Sequence, residues 1–493
     1  MDAFTKQLQD IAIVLAAGSG TRLKSSTPKV LHKIGGLAMV DHVIKNAKAT
    51  NAEIVAVVNP AHQVMIEDNN SIFARCNKVL MAYQKTPRGS GNAVRCALNA
   101  MSYTKKKRSM DVPINCNTSI SDIYGWVYVL YADIPLVSPD TLLALKKVAL
   151  TCPKTALVVL AMDAKKSKNL GRLEAAAEPG TVKRIVEESD IQHSGKHNTN
   201  GEGEHASDID DVQQPNFLDL CNCGLLIRFD VLAEMVKKIC CSSVTGEFYI
   251  TEIVQLIHDA GFVCRYYEGP VEELSGANTM EELAVLEGYF QQQMRKKHMG
   301  NGVRLVSPET VFFSHDTEIE PDVIVHPYVV FMEGVKIKSG SSVNSFCTLQ
   351  GTLVNCSSIG PFARLRPGTE IEANVSVGNF VEIKNSLISE RSKINHLSYV
   401  GDSFVGSETN IGAGTITCNY NGFAKYRTTI GNNVFVGSNS SIVAPIQIGN
   451  NAIIAAGSTV TDEVLAGDLV FARAPQENVK NGAMIFRNKK KKI

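Results

Sequence analysis

Beyond Gly302, aliphatic side chains recur at every sixth position, and this period restricts the fold more than any other feature of the chain. Two short runs are in phase, Ile359, Leu365, Ile371 and Val377, and Val325, Phe331, Ile337, Val343 and Leu349. The longest run is Ile430, Val436, Ile442, Ile448, Ile454 and Val460. Such a period is typical of a parallel β-helix whose triangular coils bury one side chain on each face. We therefore predict a hexapeptide-repeat solenoid, a fold that by itself carries no activity.

The first half of the chain has a different sequence pattern, in which short apolar runs alternate with helical patterns. The apolar runs cover residues 11–15, 53–58, 126–131 and 156–160, and the helical patterns include residues 40–49 and 93–101. Apolar runs of this length are typical of parallel strands that are buried on both faces. The alternation predicts an α/β doubly wound, Rossmann-like domain with its ligand site at the carboxyl ends of the strands.

Changes in composition divide the chain into segments. Residues 1–278 are predicted to form the α/β domain, residues 279–302 a linker helix, and residues 303–493 the solenoid with a basic C-terminal tail. Residues 103–124 and 190–214 are polar and interrupt the first domain, so we predict surface insertions there. The second insertion contains His193, His197 and His205, but their spacing fits no known zinc pattern.

Charge and cysteine content restrict the partners. Lys and Arg number 50 and Asp and Glu number 49, a balance that favours neither nucleic acid nor a membrane surface. No apolar run is long enough to span a bilayer, and residues 1–10 lack the apolar segment of a secretory signal. The 12 cysteines include no CxxC pair, so we expect free thiols and a cytoplasmic location.

A small, glycine-rich segment at residues 15–23 directly follows the first predicted strand. Such a turn lets backbone N–H groups approach phosphate oxygens. It is not a dinucleotide fingerprint, because Leu23 stands where a third glycine would, and no Walker-type Gly-Lys-Ser/Thr follows. Arg22 and Lys29 place two cations nearby, which favours binding of a triphosphate. Asp133 ends another predicted strand, where a carboxylate can hold Mg²⁺ against phosphate oxygens.

With residues 27–31, 84–93 and 130–136, this loop resembles the signature of the sugar-1-phosphate nucleotidyltransferases. Three positions depart from the usual pattern, namely Ser90, Ala132 and Cys223. The resemblance implies that Arg22 and Lys29 are catalytic and that Asp133 and Asn278 bind Mg²⁺. The implied nucleotide contacts are Leu15, Ala16, Ala17, Gly18, Lys29, Gln84, Gly89, Ser90 and Tyr131. The implied sugar-phosphate contacts are Gly171, Glu187, Asn222 and Asn278, and residues 246–252 resemble the segment that shapes the acetamido-sugar pocket.

The solenoid carries a second group of candidate residues. Its cations Arg364, Arg366, Lys384 and Arg473 are suited to bind a sugar phosphate or the phosphates of coenzyme A, surface ion pairing being the alternative. His396 lies between aligned repeats, and a histidine can take a proton from an amine near neutral pH.

Four blocks, residues 361–368, 377–384, 396–401 and 410–420, extend the resemblance to almost the whole chain. They resemble the bacterial bifunctional family that joins an N-acetylglucosamine-1-phosphate uridyltransferase to a glucosamine-1-phosphate acetyltransferase. The resemblance implies a left-handed solenoid, a homotrimer with shared acetyl sites, and synthesis of UDP-N-acetylglucosamine for cell-wall polymers. The implied substrates are glucosamine-1-phosphate, acetyl-CoA, N-acetylglucosamine-1-phosphate and UTP.

The same resemblance assigns roles in the solenoid. It implies that His396 is the general base. The implied ligands of the sugar phosphate are Arg366, Lys384, Tyr399 and Asn410. The implied acetyl-CoA contacts are Asn419, Tyr420, Ser438, Ala456 and Arg473.

Two other functions remain as alternatives. One is a nucleotidyltransferase for a different sugar, such as glucose-1-phosphate, although the blocks around His396 and Asn419 argue against it. The other is a non-catalytic scaffold, like some subunits of translation-initiation exchange factors. Such chains typically lose the phosphate and metal residues, whereas Gly18, Lys29 and Asp133 are present here.

Overall fold

A computed structural model describes residues 8–18, 20–62, 79–111, 124–167, 170–188 and 216–490. The chain divides into two compact units, Met1–Phe290 and Gln291–Ile493. One helix, Met280–Gly300, runs through the segment for which the sequence predicts a linker helix, and the division between the units falls within it.

The first unit is built on one mixed sheet with helices packed against it. Its strands, numbered in chain order, are β1 (Gln9–Ala16), β2 (Lys33–Ile34), β3 (Leu37–Ala38), β4 (Glu53–Val58), β5 (Val79–Tyr83), β6 (Tyr124–Tyr131), β7 (Thr155–Asp163), β8 (Arg172–Ala175), β9 (Val182–Val186), β10 (Phe217–Arg228) and β11 (Val263–Glu268). Its α-helices are Met39–Lys48, Ser90–Asp111, Pro139–Ala149, Phe229–Met235, Ile253–Asp259, Val271–Leu274 and Met280–Gly300. Short 3₁₀ turns include Thr21–Leu23, Lys29–Leu31 and Ile250–Glu252.

The main sheet has the strand order β11-β7-β10-β6-β1-β4-β5. β1 lies inside the sheet and runs parallel to β4 and β6, and its core residues are fully buried because helices cover both faces of the sheet. The four strands predicted from apolar runs and the Rossmann-like class are confirmed. The alternation did not reveal β10, which lies antiparallel between β6 and β7 and makes the sheet mixed. An antiparallel neighbour is buried as well as a parallel one, so its apolar run carries no sign of direction.

The two predicted insertions have different outcomes. The helix Ser90–Asp111 continues into the first one, so its opening residues are helical rather than irregular. Residues 112–123 of that insertion, all of the second one with the three histidines His193, His197 and His205, and the last three residues of the basic tail lie outside the described residues.

The second unit is a left-handed parallel β-helix with three faces, each a ladder of very short parallel strands. The strands of the first face are Arg304–Leu305, Ile324–Val325, Ser342–Val343, Ser358–Ile359, Ser376–Asn379, Lys393–His396, Asn410–Ile411, Phe435–Val436, Ile453–Ile454 and Leu469–Val470. Those of the second face are Glu318–Ile319, Lys336–Ile337, Thr352–Val354, Thr369–Ile371, Leu387–Ile388, Ser403–Val405, Thr428–Ile430 and Ile446–Ile448. Those of the third face are Val330–Phe331, Thr348–Leu349, Arg364–Leu365, Glu382–Lys384, Tyr399–Gly401, Ile416–Cys418, Ser441–Val443 and Thr459–Val460. A final helix covers Gly482–Lys490.

The six-residue period corresponds to the interior of the solenoid. Every aliphatic residue of the three in-phase runs is buried, and Phe331 occupies the aliphatic position that its place in the run predicts. Equivalent strands of successive coils pair in register, so that Val377 lies over Ile359, Ile383 over Leu365 and Ile388 over Ile371, and the aliphatic side chains stack directly on one another. The predicted β-helix is therefore confirmed.

One corner of the solenoid carries a column of exposed apolar side chains. Tyr328, Phe346, Phe362 and Phe380 lie in consecutive coils, and their rings stack with centroids 5.0, 4.8 and 5.1 Å apart. Leu397 continues the column in the next coil. All five have a positive φ, and each is 45% or more exposed in this chain. We call these five residues the apolar column.

His298, near the end of the long helix, is buried without a hydrogen-bond partner for either ring nitrogen. Its ring stacks on Phe313 with a centroid distance of 4.8 Å. Burial, and then the neighbouring Lys297, lowers the pKa of His298 to about 4. The folded protein therefore holds this ring in its neutral form.

We predict that His298 makes the protein less stable in mild acid. Its folded-state pKa lies below its ordinary value of 6.5, so stability is complete above that pH and declines as the pH falls toward 4. At 1.36 kcal/mol per pKa unit, the loss approaches roughly 3 kcal/mol. Unfolding of His298→Phe, followed by circular dichroism near pH 5 and pH 7.5, should show a smaller acid destabilisation than the unchanged protein. His258→Phe is the control, and an unaltered pH dependence in His298→Phe would contradict the prediction.

Candidate active sites

The first site is a cleft at the carboxyl ends of β1 and β6. The Ala132 amide donates to the Leu15 carbonyl over 3.1 Å and ties these two strand ends together. Most of the predicted nucleotide residues line this cleft together with the predicted catalytic Arg22, namely Leu15, Ala17, Gly18, Lys29, Gln84, Gly89, Ser90 and Tyr131. Ala16 does not, because its side chain is buried in the hydrophobic core below the loop. The arrangement matches the expected position of a ligand site in an open α/β sheet.

Gly20 allows the loop to close over Lys29. It has φ +60°, and a Cβ at this position would lie only 2.3 Å from the Cβ of Lys29. Any side chain here would therefore push Lys29 away from the cleft, while the left-handed backbone would disfavour the substitution as well.

The Lys29 ammonium group joins the two predicted metal ligands. Its Nζ donates to Asp133 Oδ2 over 2.5 Å and to Asn278 Oδ1 over 2.7 Å. Arg22 donates from Nη2 to the same Asn278 oxygen over 2.7 Å. Two oxygen donors thus already surround one positive charge, and oxygen donors are the ligands that Mg²⁺ prefers. Among the described residues no cluster of three or more His, Cys, Asp or Glu could hold a metal ion.

A second loop closes the side of the cleft. The buried Gln84 donates from Nε2 to the Gly89 carbonyl and to Asn92 Oδ1, each over 3.0 Å. Gly89 has φ +90°, and a Cβ on it would lie 2.5 Å from the Phe248 carbonyl oxygen. The Ser90 hydroxyl accepts a bond from the Ile250 amide over 3.0 Å. These contacts pack residues 248–250 against the loop.

The predicted sugar-phosphate residues line an adjoining pocket that shares Ser90, Tyr131, Asp133 and Asn278 with the cleft. Asn222 donates from Nδ2 to the Tyr131 hydroxyl over 3.1 Å. Burial, and then the carboxylate of Glu187, raises the pKa of Tyr131, so its phenol stays neutral. Thr251 donates to Glu187 Oε1 over 2.6 Å and holds that carboxylate at the wall of the pocket. Gly171 also lies there, and a Cβ on it would meet Ile185 at 2.7 Å.

The second site lies along a corner of the solenoid. His396 ends a strand of the first face, and its Nδ1 lies 3.0 Å from Asn379 Oδ1 in the preceding coil. Backbone bonds place Ala413 and Ser438 at the same corner in the next coils, and Ala456 and Arg473 follow toward the C-terminus. The predicted acetyl-CoA residues Ser438, Ala456 and Arg473 therefore continue the line that begins at His396.

A cluster of charges lies on the third face. The predicted ligands Arg366 and Lys384 lie there together with Lys425, which the sequence analysis missed because it lies between the aligned repeats. The nearby ammonium group of Lys425 lowers the pKa of Lys384, as do burial and Arg366. Such crowding of like charges is typical of an anion site.

The Asp402 carboxylate lies beside the positive charges of this cluster. The sequence motifs did not point to this residue. Burial alone would raise its pKa, but bonds from Asn385 and Asn419 and the charges of Lys384 and Lys425 hold the pKa of Asp402 below its usual value. The predicted acetyl-CoA residue Asn419 is thus tied to the same carboxylate. Tyr420 next to it is exposed, and its hydroxyl donates to the Gly422 carbonyl.

The remaining predicted sugar-phosphate ligands occupy different faces. Tyr399 lies on the third face beside Gly401, and a Cβ on that glycine would lie 2.4 Å from the Tyr399 hydroxyl and 2.9 Å from Asn419 Nδ2. Asn410 lies on the first face, so this chain does not bring it together with Arg366 and Lys384.

Comparisons with known proteins agree with this division. Residues 12–170 match the MobA-like NTP transferase domain, and residues 427–462 match the six-repeat bacterial transferase hexapeptide. The bifunctional protein GlmU of Zymomonas mobilis is 38% identical over 483 residues, which cover 98% of each chain. The bifunctional protein GlmU of Bartonella quintana is 37% identical over 480 residues and 97% of each chain. That of Wolbachia pipientis is 38% identical over 467 residues, 94% of this chain and 97% of the relative.

The folds and the two sites define a nucleotidyltransferase joined to a hexapeptide-repeat transferase. The similarity extends over nearly the whole length of the relatives, and the chain belongs to the GlmU family of bifunctional proteins. It is an enzyme with uridylyltransferase and acetyltransferase activities, which use nucleotide and acyl-CoA substrates. The nucleotidyltransferase reaction of this family generally depends on a divalent metal ion. None of the described helices is both long and apolar enough to cross a membrane.

We predict that Gly401→Ala damages the acetyltransferase site alone. The new methyl group would displace Tyr399 and Asn419, and a displacement of about 1 Å can cost roughly 100-fold in rate. Acetyl transfer and uridylyl transfer should be measured on the same preparation, with uridylyl transfer unchanged. Gly300→Ala is the control, because nothing lies near that added methyl group. Full acetyl transfer in Gly401→Ala would show that the close packing at Gly401 does not matter.

Proposed function

We propose that this protein makes UDP-N-acetylglucosamine in two steps. The second unit transfers an acetyl group from acetyl-CoA to glucosamine-1-phosphate, and the first unit joins the product to UMP from UTP with release of pyrophosphate. The observation that carries the proposal for the first unit is the contact of Lys29 with both Asp133 and Asn278 inside the cleft. For the second unit it is the position of His396, which lies at the same corner of the solenoid as Ser438, two coils before it.

In the first unit, a phosphate oxygen of N-acetylglucosamine-1-phosphate attacks the α-phosphorus of UTP, and the bond to the pyrophosphate oxygen breaks. Asp133 and Asn278 would hold Mg²⁺, which offsets the charge that develops on the phosphate oxygens. Arg22 and Lys29 supply further positive charge to the departing pyrophosphate. Asn222, Glu187 and Gly171 orient the acetamido sugar from the adjoining pocket.

In the second unit, the amine of glucosamine-1-phosphate attacks the thioester carbonyl of acetyl-CoA. His396 takes a proton from the nitrogen as the new amide bond forms, and the thiolate of coenzyme A leaves. Arg366 and Lys384, together with Lys425, bind the phosphate of the sugar. Tyr399 and Asn410 contact the same substrate, and Asn419, Tyr420, Ser438, Ala456 and Arg473 contact acetyl-CoA.

The test follows the product of both steps by mass spectrometry. Purified protein with glucosamine-1-phosphate, acetyl-CoA, UTP and Mg²⁺ should form UDP-N-acetylglucosamine. His396→Ala should lose acetyl transfer by roughly 10²- to 10⁴-fold and keep uridylyl transfer. Arg22→Ala, or removal of Mg²⁺ with a chelator, should have the opposite pattern.

Several outcomes would contradict the proposal. Equal loss of both activities in either variant would remove the two-site assignment. If N-acetylglucosamine-1-phosphate restores product where glucosamine-1-phosphate does not, the acetyl-transfer step is wrong. If no sugar phosphate of a panel yields product and UTP does not bind, the protein is a scaffold.

We further propose that the enzyme is a homotrimer in which copies of this chain cover the apolar column. Five stacked apolar side chains at one corner form a larger exposed patch than isolated surface residues do. The separation of Asn410 from Arg366 and Lys384 on two faces supports a site that residues of two copies complete.

We predict that Phe346→Glu with Phe362→Glu lowers the mass of the particle measured by light scattering from that of three chains toward that of one. Two buried carboxylates would not be tolerated in an apolar interface. Acetyl transfer should fall with the mass, and uridylyl transfer should remain. Leu465→Glu, at another exposed apolar position, is the control. A double variant that stays trimeric would place the contact elsewhere.

A further inference from the structure

We propose that Asn379 is a positioning residue that sets the tautomer of His396 and thereby keeps the lone pair of Nε2 available for the substrate. The inference rests on the proposed role of His396 as the base of acetyl transfer. It adds a residue that lies outside the predicted site and touches the imidazole from the preceding coil.

The contact follows from the register of the first face. Asn379 pairs with His396 across neighbouring strands, as Val377 pairs with Ile394. The Leu397 amide donates to the Asn379 carbonyl over 3.1 Å, which fixes the two corners one above the other. In this arrangement the Asn379 side-chain oxygen Oδ1 lies 3.0 Å from His396 Nδ1.

A carboxamide oxygen can only accept a hydrogen bond. The Nδ1 atom facing it must therefore carry the hydrogen, and a neutral imidazole then has its lone pair on Nε2. Among the described residues the ring has no other hydrogen-bond partner, so this one contact decides between the two tautomers. A ring with the opposite tautomer would present an N–H at Nε2 and could not take the proton of the attacking amine there.

The fold does not require this bond at the corner. Pro327, Ser345, Ala413 and Ser438 occupy the same position in other coils, and their carbonyl groups accept the same backbone bond from the following coil. Proline and alanine have no side-chain group that could pair with a neighbouring coil, yet the coils stack equally well there. A side-chain bond at Asn379 therefore serves His396 rather than the coil.

The same two coils offer a matched control. Ser376 donates from Oγ to Asn395 Oδ1 over 2.8 Å, so Asn395 also bridges these coils and is the direct neighbour of His396 in the chain. Its bond does not reach the imidazole. Loss of the Asn395 bond thus reports what a purely structural contact between these coils contributes.

The experiment compares Asn379→Ala, Asn379→Asp, Asn395→Ala and His396→Ala in the unchanged full-length chain. For each, kcat and KM of acetyl transfer are measured across a pH series, and circular dichroism of the same preparation monitors folding. We expect Asn379→Ala to lower kcat roughly 10- to 100-fold with little change in either KM. Asn379→Asp still accepts from Nδ1 and should recover much of that loss. The acidic limb of the kcat–pH profile of Asn379→Asp should move to higher pH, because a carboxylate stabilises the imidazolium ion. Asn395→Ala should stay near the unchanged protein.

The outcomes separate this inference from the proposed function. If His396→Ala loses acetyl transfer while Asn379→Ala keeps full kcat, His396 is the base and Asn379 does not position it. An Asn379→Asp profile that coincides with that of the unchanged protein, or an Asn395→Ala loss equal to that of Asn379→Ala, also overturns the inference. If His396→Ala itself retains acetyl transfer, the proposed base is wrong and the inference falls with it.

Discussion

In-register stacking of the coils is the constraint on which the second unit depends. Nearly every strand of the three faces buries an aliphatic side chain, and neighbouring parallel strands are held about 4.8 Å apart by their backbone bonds. Residues at equivalent corners are therefore brought within hydrogen-bonding distance whatever their chemistry. This spacing stacks the rings of the apolar column and brings Asn379 to His396. The core thus provides a rigid scaffold on which functional side chains need only the correct phase.

The first unit positions its candidate site residues by strand ends and loops rather than by stacked coils. The buried strands β1 and β6 end side by side, and the loops beyond them carry Lys29 and Asp133 into one cleft. Glycines at positions 20 and 89 allow the close approaches on which this cleft depends, because a Cβ at either would overlap its neighbours. The ammonium group of Lys29 contacts both Asp133 and Asn278, so the predicted phosphate and metal residues converge on one point.

The second unit brings more charged side chains close together than the first unit does at Lys29 and Asp133. Lys384 and Lys425 repel each other, and Asp402 offsets only part of that repulsion. An anionic substrate would relieve the remainder, and this gain in electrostatic energy is available only when the substrate is bound. The imidazole of His396 lies on another face, next to a neutral amide rather than a carboxylate. Within one chain, the cation cluster and the imidazole therefore lie on separate faces of the solenoid.

The sequence by itself determined the two fold classes, because the six-residue period and the buried apolar runs each admit only one way to bury their side chains. It also pointed to Asp133, which follows β6, and to Lys29, in the segment that follows β1, since the carboxyl ends of parallel strands lie at the same edge of a sheet. Tertiary structure alone revealed the antiparallel strand β10, whose direction no apolar pattern encodes. It alone joined Asp402 and Lys425 to the cation cluster, because Lys425 lies in a loop outside the repeat. The Asn379–His396 pair lies outside the in-phase runs, and only the stacked coils brought the amide oxygen to the imidazole nitrogen, since a period specifies which residues align and not which atoms face each other.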